Sequence, residues 1–322
     1  MKTDAILALP SMPMASPSYP AGPYRFIDRE YMVITYETDP EVIRAQLPEP
    51  LEPADQPLVA YEWIKMPDSS GFGDYTESGL VIPLPLPGRG HELRLADVPG
   101  RRSADRRRPR DLGLPKKYAH PKLEIVKDTL TGTLAYASQP VAVGTMGYKH
   151  ESMAGNGVAT AAKLSKTQVN LKLIPGIDGT PAICQLVALN LTEITIKGSW
   201  RGPGRLHLIP HVNAPVADFP VRRVVEAHHF IADLTLPYGR VLYDYLAETA
   251  KAGRRLGSEP AMPAPANAWS RALQPITSRP YLVIGALVGV LVFAFTGSVM
   301  GRTVTRGWSA GTAAYWFSSC CR

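Results

Sequence analysis

Short runs of aromatic and β-branched residues, most of them closed by glycine or proline, leave this chain little room to be anything but antiparallel sheet. Residues 31–36, 58–64, 122–126, 133–136, 141–146, 169–174, 183–189 and 191–196 read as strands. Pro175-Gly176 with Asp178-Gly179, and Gly202-Pro203-Gly204, supply turns. The strand–helix–strand alternation of a parallel sheet is missing, so the expected class is α+β, mainly antiparallel, as a barrel or sandwich with a few helices. Asp39-Pro40-Glu41 opens a short helix that Pro48 closes, and a second helix is expected over 239–250. The proline-rich first residues read as extended. Gly71-Phe72-Gly73 lacks the strand and helix context of a dinucleotide loop and reads as a turn.

The chain of 322 residues is long enough for a full core, and its charge of +7 looks like a nucleic-acid signal until it is located. Residues 92–113 hold seven Arg against four acids, and 247–322 hold eight Lys or Arg against two, so the remainder is slightly acidic. Two local segments carry the basic character, and no nucleic-acid partner follows from it. Cys184, Cys320 and Cys321 are too few for a disulfide framework, which fits a reducing, cytoplasmic setting, and residues 1–25 show no secretory apolar run. The organisation reads as a catalytic domain over 1–250, a Pro/Ala-rich linker over 251–280, an uncharged stretch over 281–300 and a tail over 301–322. The uncharged stretch is long enough to cross a bilayer, and reads either as a membrane tether or as a buried apolar tail.

Chemistry is concentrated at Pro115-Lys116-Lys117. An ordinary lysine has a pKa of about 10.4 and is almost wholly protonated at neutral pH. An apolar pocket or a neighbouring cation releases the free amine, which condenses with ketones.

Several separated strings converge on one family. They are Gly22-Pro23-Tyr24-Arg25-Phe26 with Arg29-Glu30-Tyr31, Tyr75-Thr76-Glu77-Ser78-Gly79, Pro115-Lys116-Lys117 with Pro121-Lys122-Leu123, Thr145-Met146-Gly147-Tyr148-Lys149-His150, and Trp200-Arg201-Gly202-Pro203. Ile174-Pro175, Arg205-Leu206, Ala232-Asp233 and Tyr243-Asp244-Tyr245-Leu246 add to them. From Ser16 to Leu246 the chain resembles acetoacetate decarboxylase, itself the standard example of a lysine activated beside another cation. The resemblance implies a β-barrel with peripheral helices, a homo-oligomer, a β-keto acid substrate, and no metal or organic cofactor. It implies that Lys116 forms the imine, that Lys117 is its charged or positioning neighbour, and that Arg29, Glu62 and Glu77 line the site. Glu77 is the candidate for proton handling, Arg29 for holding a carboxylate or orienting an acid, and Glu62 for pairing with Arg29 or steadying Glu77. His150, His211, His228 and His229 have no metal-ligand spacing and read as packing or surface residues. Two other readings stay open: a Schiff-base aldolase or dehydratase acting on another keto acid, and a noncatalytic ketone-binding homologue.

One segment departs from the family. Where relatives carry an apolar strand and a Pro-Ile-Ala-Gly-Gly-Arg-Glu turn, this chain has an arginine-rich stretch over 92–114. A GC-rich coding sequence for that turn, read from its third base, yields Asp-Arg-Arg-Arg-Pro-Arg, which is residues 105–110. The stretch therefore reads as a local shift of reading frame, restored before Pro115, that replaces an apolar wall near Lys116.

Overall fold

The computed structural model describes residues 1–256 apart from 10, 13, 18–19, 86–90, 100–112 and 115, with the backbone alone at 91–99 and 252–256. The chain divides into Met1–Ser258 and Glu259–Arg322, and every described residue belongs to the first unit. The linker from 257 onward, the uncharged stretch 281–300 and the arginines of 101–110 lie outside the described residues. Among the described residues no helix is long and apolar enough to cross a membrane.

Strands make the architecture. They are β1 (Tyr24–Glu37), β2 (Leu58–Met66), β3 (Asp68–Ser69), β4 (Tyr75–Leu84), β5 (His91–Pro99), β6 (His120–Val126), β7 (Thr129–Tyr136) and β8 (Gln139–Gly147). The second half adds β9 (Glu151–Ser152), β10 (Thr167–Pro175), β11 (Pro181–Leu189), β12 (Thr192–Gly202), β13 (Gly204–Leu208), β14 (Arg223–Leu236) and β15 (Arg240–Asp244). The helices are α1 (Thr3–Leu7), α2 (Pro40–Gln46), α3 (Gly157–Leu164) and α4 (Tyr245–Leu256). An eleven-stranded sheet runs β15-β11-β10-β5-β4-β2-β1-β14-β12-β9, with β3 beside β1, and a four-stranded sheet runs β13-β8-β7-β6. Apart from the parallel pair β5–β10, the pairings are antiparallel. The mainly antiparallel α+β class is as the sequence reads. Neither sheet forms a closed circuit of strands among the described residues, so the barrel itself is not seen.

The departures from expectation have local causes. In place of a helix over 239–250, Arg240–Asp244 pairs with β11, and the helix begins only at Tyr245. Asp244 sets that start, because its Oδ1 accepts from the backbone N–H groups of Leu246 and Ala247 at 3.1 Å each. Residues 3–7 form a short helix rather than extended chain. β14 escapes a search for apolar runs because Glu226, His228, His229 and Asp233 interrupt it. Asp39 precedes α2 as expected, yet its carboxylate receives Arg222 Nε and an Arg222 amino group at 2.9 and 2.7 Å instead of capping the helix. β5, not expected as a strand, is seated between β4 and β10.

The central strands are buried on both faces, which is why β2 reads as a nearly unbroken apolar run. One face packs Met32, Ile34, Tyr36, Tyr61 and Trp63 against Leu123, Leu130, Leu134 and Met146 of the smaller sheet. The Trp63 indole lies on Gly132 and Gly144, which face each other across β7 and β8. A Cβ at Gly132 would approach Trp63 Cδ2 to 2.4 Å, and one at Gly144 would approach Cζ3 to 2.5 Å. The other face carries Tyr31, Ile64, Met66, Tyr75 and Phe230.

Gly144→Ala is expected to overpack this seat and to lower stability by about 1–3 kcal/mol. The measurement is the urea midpoint at constant slope, and an unchanged midpoint would contradict the seat.

Candidate active site

Strand register brings the predicted side chains onto one face. Glu77 on β4 stands opposite Ile64 on β2, which stands opposite Tyr31 on β1, which stands opposite Phe230 on β14. Two residues along each strand, the next row is Gly79, Glu62, Val33 and His228. Because side chains alternate faces with period two, both rows project to the same side. Glu62 and Glu77 are thus diagonal neighbours on adjacent strands, with backbones about 7–8 Å apart. Arg29 follows on β1, two residues before Tyr31, and is likewise buried.

Lys116 reaches this face from the segment before β6. Its Nζ donates to Glu77 Oε1 at 2.6 Å, and the two side chains are only 6% and 1% exposed. A buried ammonium–carboxylate contact of this length is a charge-assisted hydrogen bond, and its two partners compete for one proton. Lys117 points elsewhere: its exposed ammonium donates to the Asn213 carbonyl and lies 5.2 Å from the Tyr136 ring centre. The guanidinium of Arg29 lies 4.8 Å from the Phe26 ring and 4.9 Å from the Tyr31 ring. Its Nε has no hydrogen-bond partner among the described residues. Tyr31 in turn stacks on Phe230 at 4.4 Å.

Beside Glu62 the same face opens into a cavity of about 290 Å³. Val33, Val81, Leu164 and Phe230 line it with apolar surface, and Glu62, Thr160, Gln168 and His228 add polar groups. At its rim, Lys163 and Glu226 form an ion pair of 3.2 Å. His228, read from the sequence as a packing residue, is thus a wall of the cavity. The period-two alternation of Val224, Glu226, His228 and Phe230 is the signal that would have placed it there. His229, its neighbour, faces the opposite side, where Nε2 contacts Glu30 Oε1 at 2.8 Å and the ring stacks on Trp200 at 4.9 Å. That contact holds the Glu30 carboxyl below its usual range. His211 Nδ1 accepts from the Asn213 N–H at 3.1 Å. Among the described residues no group of His, Cys, Asp or Glu is arranged to hold a metal ion.

Comparison with known proteins points one way. The family model described as acetoacetate decarboxylase matches residues 11–246. The acetoacetate decarboxylase of Bordetella avium is 53% identical over 243 residues, covering 74% of this chain and 96% of its own. That of Chromobacterium violaceum is 49% identical over 243 residues, with the same coverages. The crystal structure of acetoacetate decarboxylase from Legionella pneumophila is 44% identical with a TM-score of 0.69, over 74% of this chain and 96% of that one. An enduracididine biosynthesis enzyme complexed with pyruvate shares the fold alone, at 18% identity and a TM-score of 0.63 over 73% and 98% of the two chains.

Burial also governs the protonation of His228. Desolvation, aided by the nearby Lys163 ammonium, pushes its pKa down to about 4, so the ring is neutral at physiological pH. An unfolded histidine titrates near 6.5, so between that pH and about 4 the unfolded chain holds a proton that the native state does not. Stability due to this group is therefore complete above pH 6.5 and falls as the pH drops, by up to about 3 kcal/mol. His228→Gln is expected to flatten this acid limb in thermal melts taken from pH 7 to 4. An unaltered limb would show that the slope arises elsewhere.

Proposed function

The chain belongs to the acetoacetate decarboxylase family, and we propose that it decarboxylates acetoacetate to acetone and carbon dioxide through an imine on Lys116. The observation that carries this reading is the buried 2.6 Å contact between Lys116 Nζ and Glu77 Oε1. Moving one proton along it converts ammonium and carboxylate into free amine and carboxylic acid, which are the nucleophile and the acid that the chemistry requires.

The amine adds to the keto carbon. Glu77 protonates the departing oxygen, and water leaves a protonated imine. The bond to the carboxylate then breaks, its electron pair moves toward the imine nitrogen, and carbon dioxide departs from an enamine. Proton return to the enamine carbon and hydrolysis release acetone and regenerate Lys116. Arg29, fixed between two rings, is the cation toward which the substrate carboxylate is drawn. Glu62, diagonal to Glu77, places a second carboxyl on the same buried face. Lys117 anchors the segment that presents Lys116, through Asn213 and Tyr136. The reading includes the family's barrel, a homo-oligomer and the cytoplasm. Leu173 and Val241, exposed on β10 and β15, support subunit contacts, and the scarcity of cysteine suits a reducing compartment.

Borohydride reduction in the presence of acetoacetate is expected to fix an isopropyl adduct on Lys116, detected by peptide mass. Folded protein that yields no adduct would overturn the reading. Glu77→Gln is expected to lower kcat by about 10²–10⁴-fold. Six arginines over 101–110 replace apolar surface that relatives place near the lysine, and such charges resist burial. Turnover of acetoacetate by the purified chain is therefore expected to fall below that of its relatives in parallel assays, and equal rates would contradict this.

A further inference from the structure

Acetoacetate is a four-carbon acid, and Lys116 with Glu77 occupies only one end of the buried face. The cavity beyond Glu62, about 290 Å³, is close to the lower limit of about 300 Å³ for pockets that take drug-sized ligands. It adjoins the lysine end through two residues. Glu62 is the diagonal neighbour of Glu77, and Tyr31 stands in the same row as Glu77 and carries the Arg29 guanidinium on its ring. From β4 the face crosses β2 and β1 to reach His228 on β14. Three inter-strand spacings and the two-residue step between the rows put these ends roughly 16 Å apart before the side chains lean inward, a gap suited to a tail of about eight carbons.

The walls and the far end differ in chemistry. Val33, Val81, Leu164 and Phe230 make an apolar passage. At its end His228 Nε2 lies 2.7 Å from Ser199 Oγ, which lies 3.1 Å from Thr160 Oγ1. This hydroxyl relay is buried and fixes one ring nitrogen. The other, Nδ1, has no hydrogen-bond partner among the described residues and is not among the fully buried polar atoms left without one. A neutral imidazole offers one donor or one acceptor there, according to the direction of the relay. Charge on the lining is balanced, Glu62 and Glu226 against Lys163 and Lys166 with Lys163 paired to Glu226, so the lining carries no surplus cation for an anionic tail.

We propose that this cavity is a tail-binding compartment for medium-chain β-keto acids, and that His228 selects tails ending in an uncharged oxygen, a hydroxyl or a carbonyl. The proposal rests on the decarboxylase reading for the placement of the keto group at Lys116. It makes His228 a specificity-determining residue with no part in the chemical step.

Stable methyl ketones serve as probes: acetone, nonan-2-one and 9-hydroxynonan-2-one. Calorimetry on the full chain carrying Lys116→Gln measures binding without imine formation. The expected order is weakest for acetone, tighter for nonan-2-one, and about tenfold tighter again for the hydroxylated ketone. His228→Phe is expected to erase the tenfold preference, and Val33→Phe, which puts bulk between Glu62 and His228, to weaken both long ketones. Equal affinity for the two long ketones, or a preference that survives His228→Phe in folded protein, overturns the proposal. The borohydride adduct on the unmodified chain reports separately on the decarboxylase reading. A missing adduct alongside an intact ketone preference would sink that reading and leave the compartment standing.

Discussion

An ammonium and a carboxylate held out of water at 2.6 Å set the demands that the surrounding fold must meet. Neither charge can be left alone there, since an unpaired buried ion costs several kcal/mol. Both partners must therefore be placed by rigid elements. Glu77 is fixed on a strand with neighbours on both sides, β2 and β5. Lys116 arrives from outside the sheet, with its own N–H bonded to the Leu114 carbonyl and the next side chain held at Asn213. The lysine pair thus divides its labour in space: one amine turns inward to the acid, and the other turns outward to the surface.

Much of this was legible in the sequence, because strands buried on one or both faces announce themselves by their side chains. β1, β2 and the hairpin of β10 and β11 follow that rule, and Asp178-Gly179 marks the hairpin turn, with Gly179 at a φ of 82°. β14 did not, because polar residues on it serve a cavity rather than solvent. A strand that carries Glu226, His228 and His229 reads as surface until its partners are known. The site was legible in a different way. Arg29, Glu62, Glu77 and Lys116 are scattered over almost ninety positions, and only the family resemblance joined them in sequence. Register explains the association physically for Glu62 and Glu77, which share a face because each is an even number of residues from a common cross-strand pair, Glu62 with Gly79. The cavity and its hydroxyl relay could not be read, since Thr160, Ser199 and His228 meet only through the packing of α3 on β12 and β14.

β5 is held between β4 and β10 by backbone pairing. Ladder hydrogen bonds belong to the main chain, so strand position can survive a substitution that alters the chemistry of a face. Position and surface are therefore separable: a strand can hold its register while its side chains change.

Trp63 lies between Glu62 and Ile64 in β2, with its indole on the opposite face from theirs and seated on Gly132 and Gly144. The smaller sheet thereby acts as a template for the pleat of the strand that carries Glu62. Any enlargement at either glycine would have to be met by a smaller ring at position 63, and a smaller ring would release the strand that aims the carboxylate. These three positions form a unit of inheritance: across descendants of this chain they are free to drift only together, although none of them is on the face that carries Glu62 and Glu77.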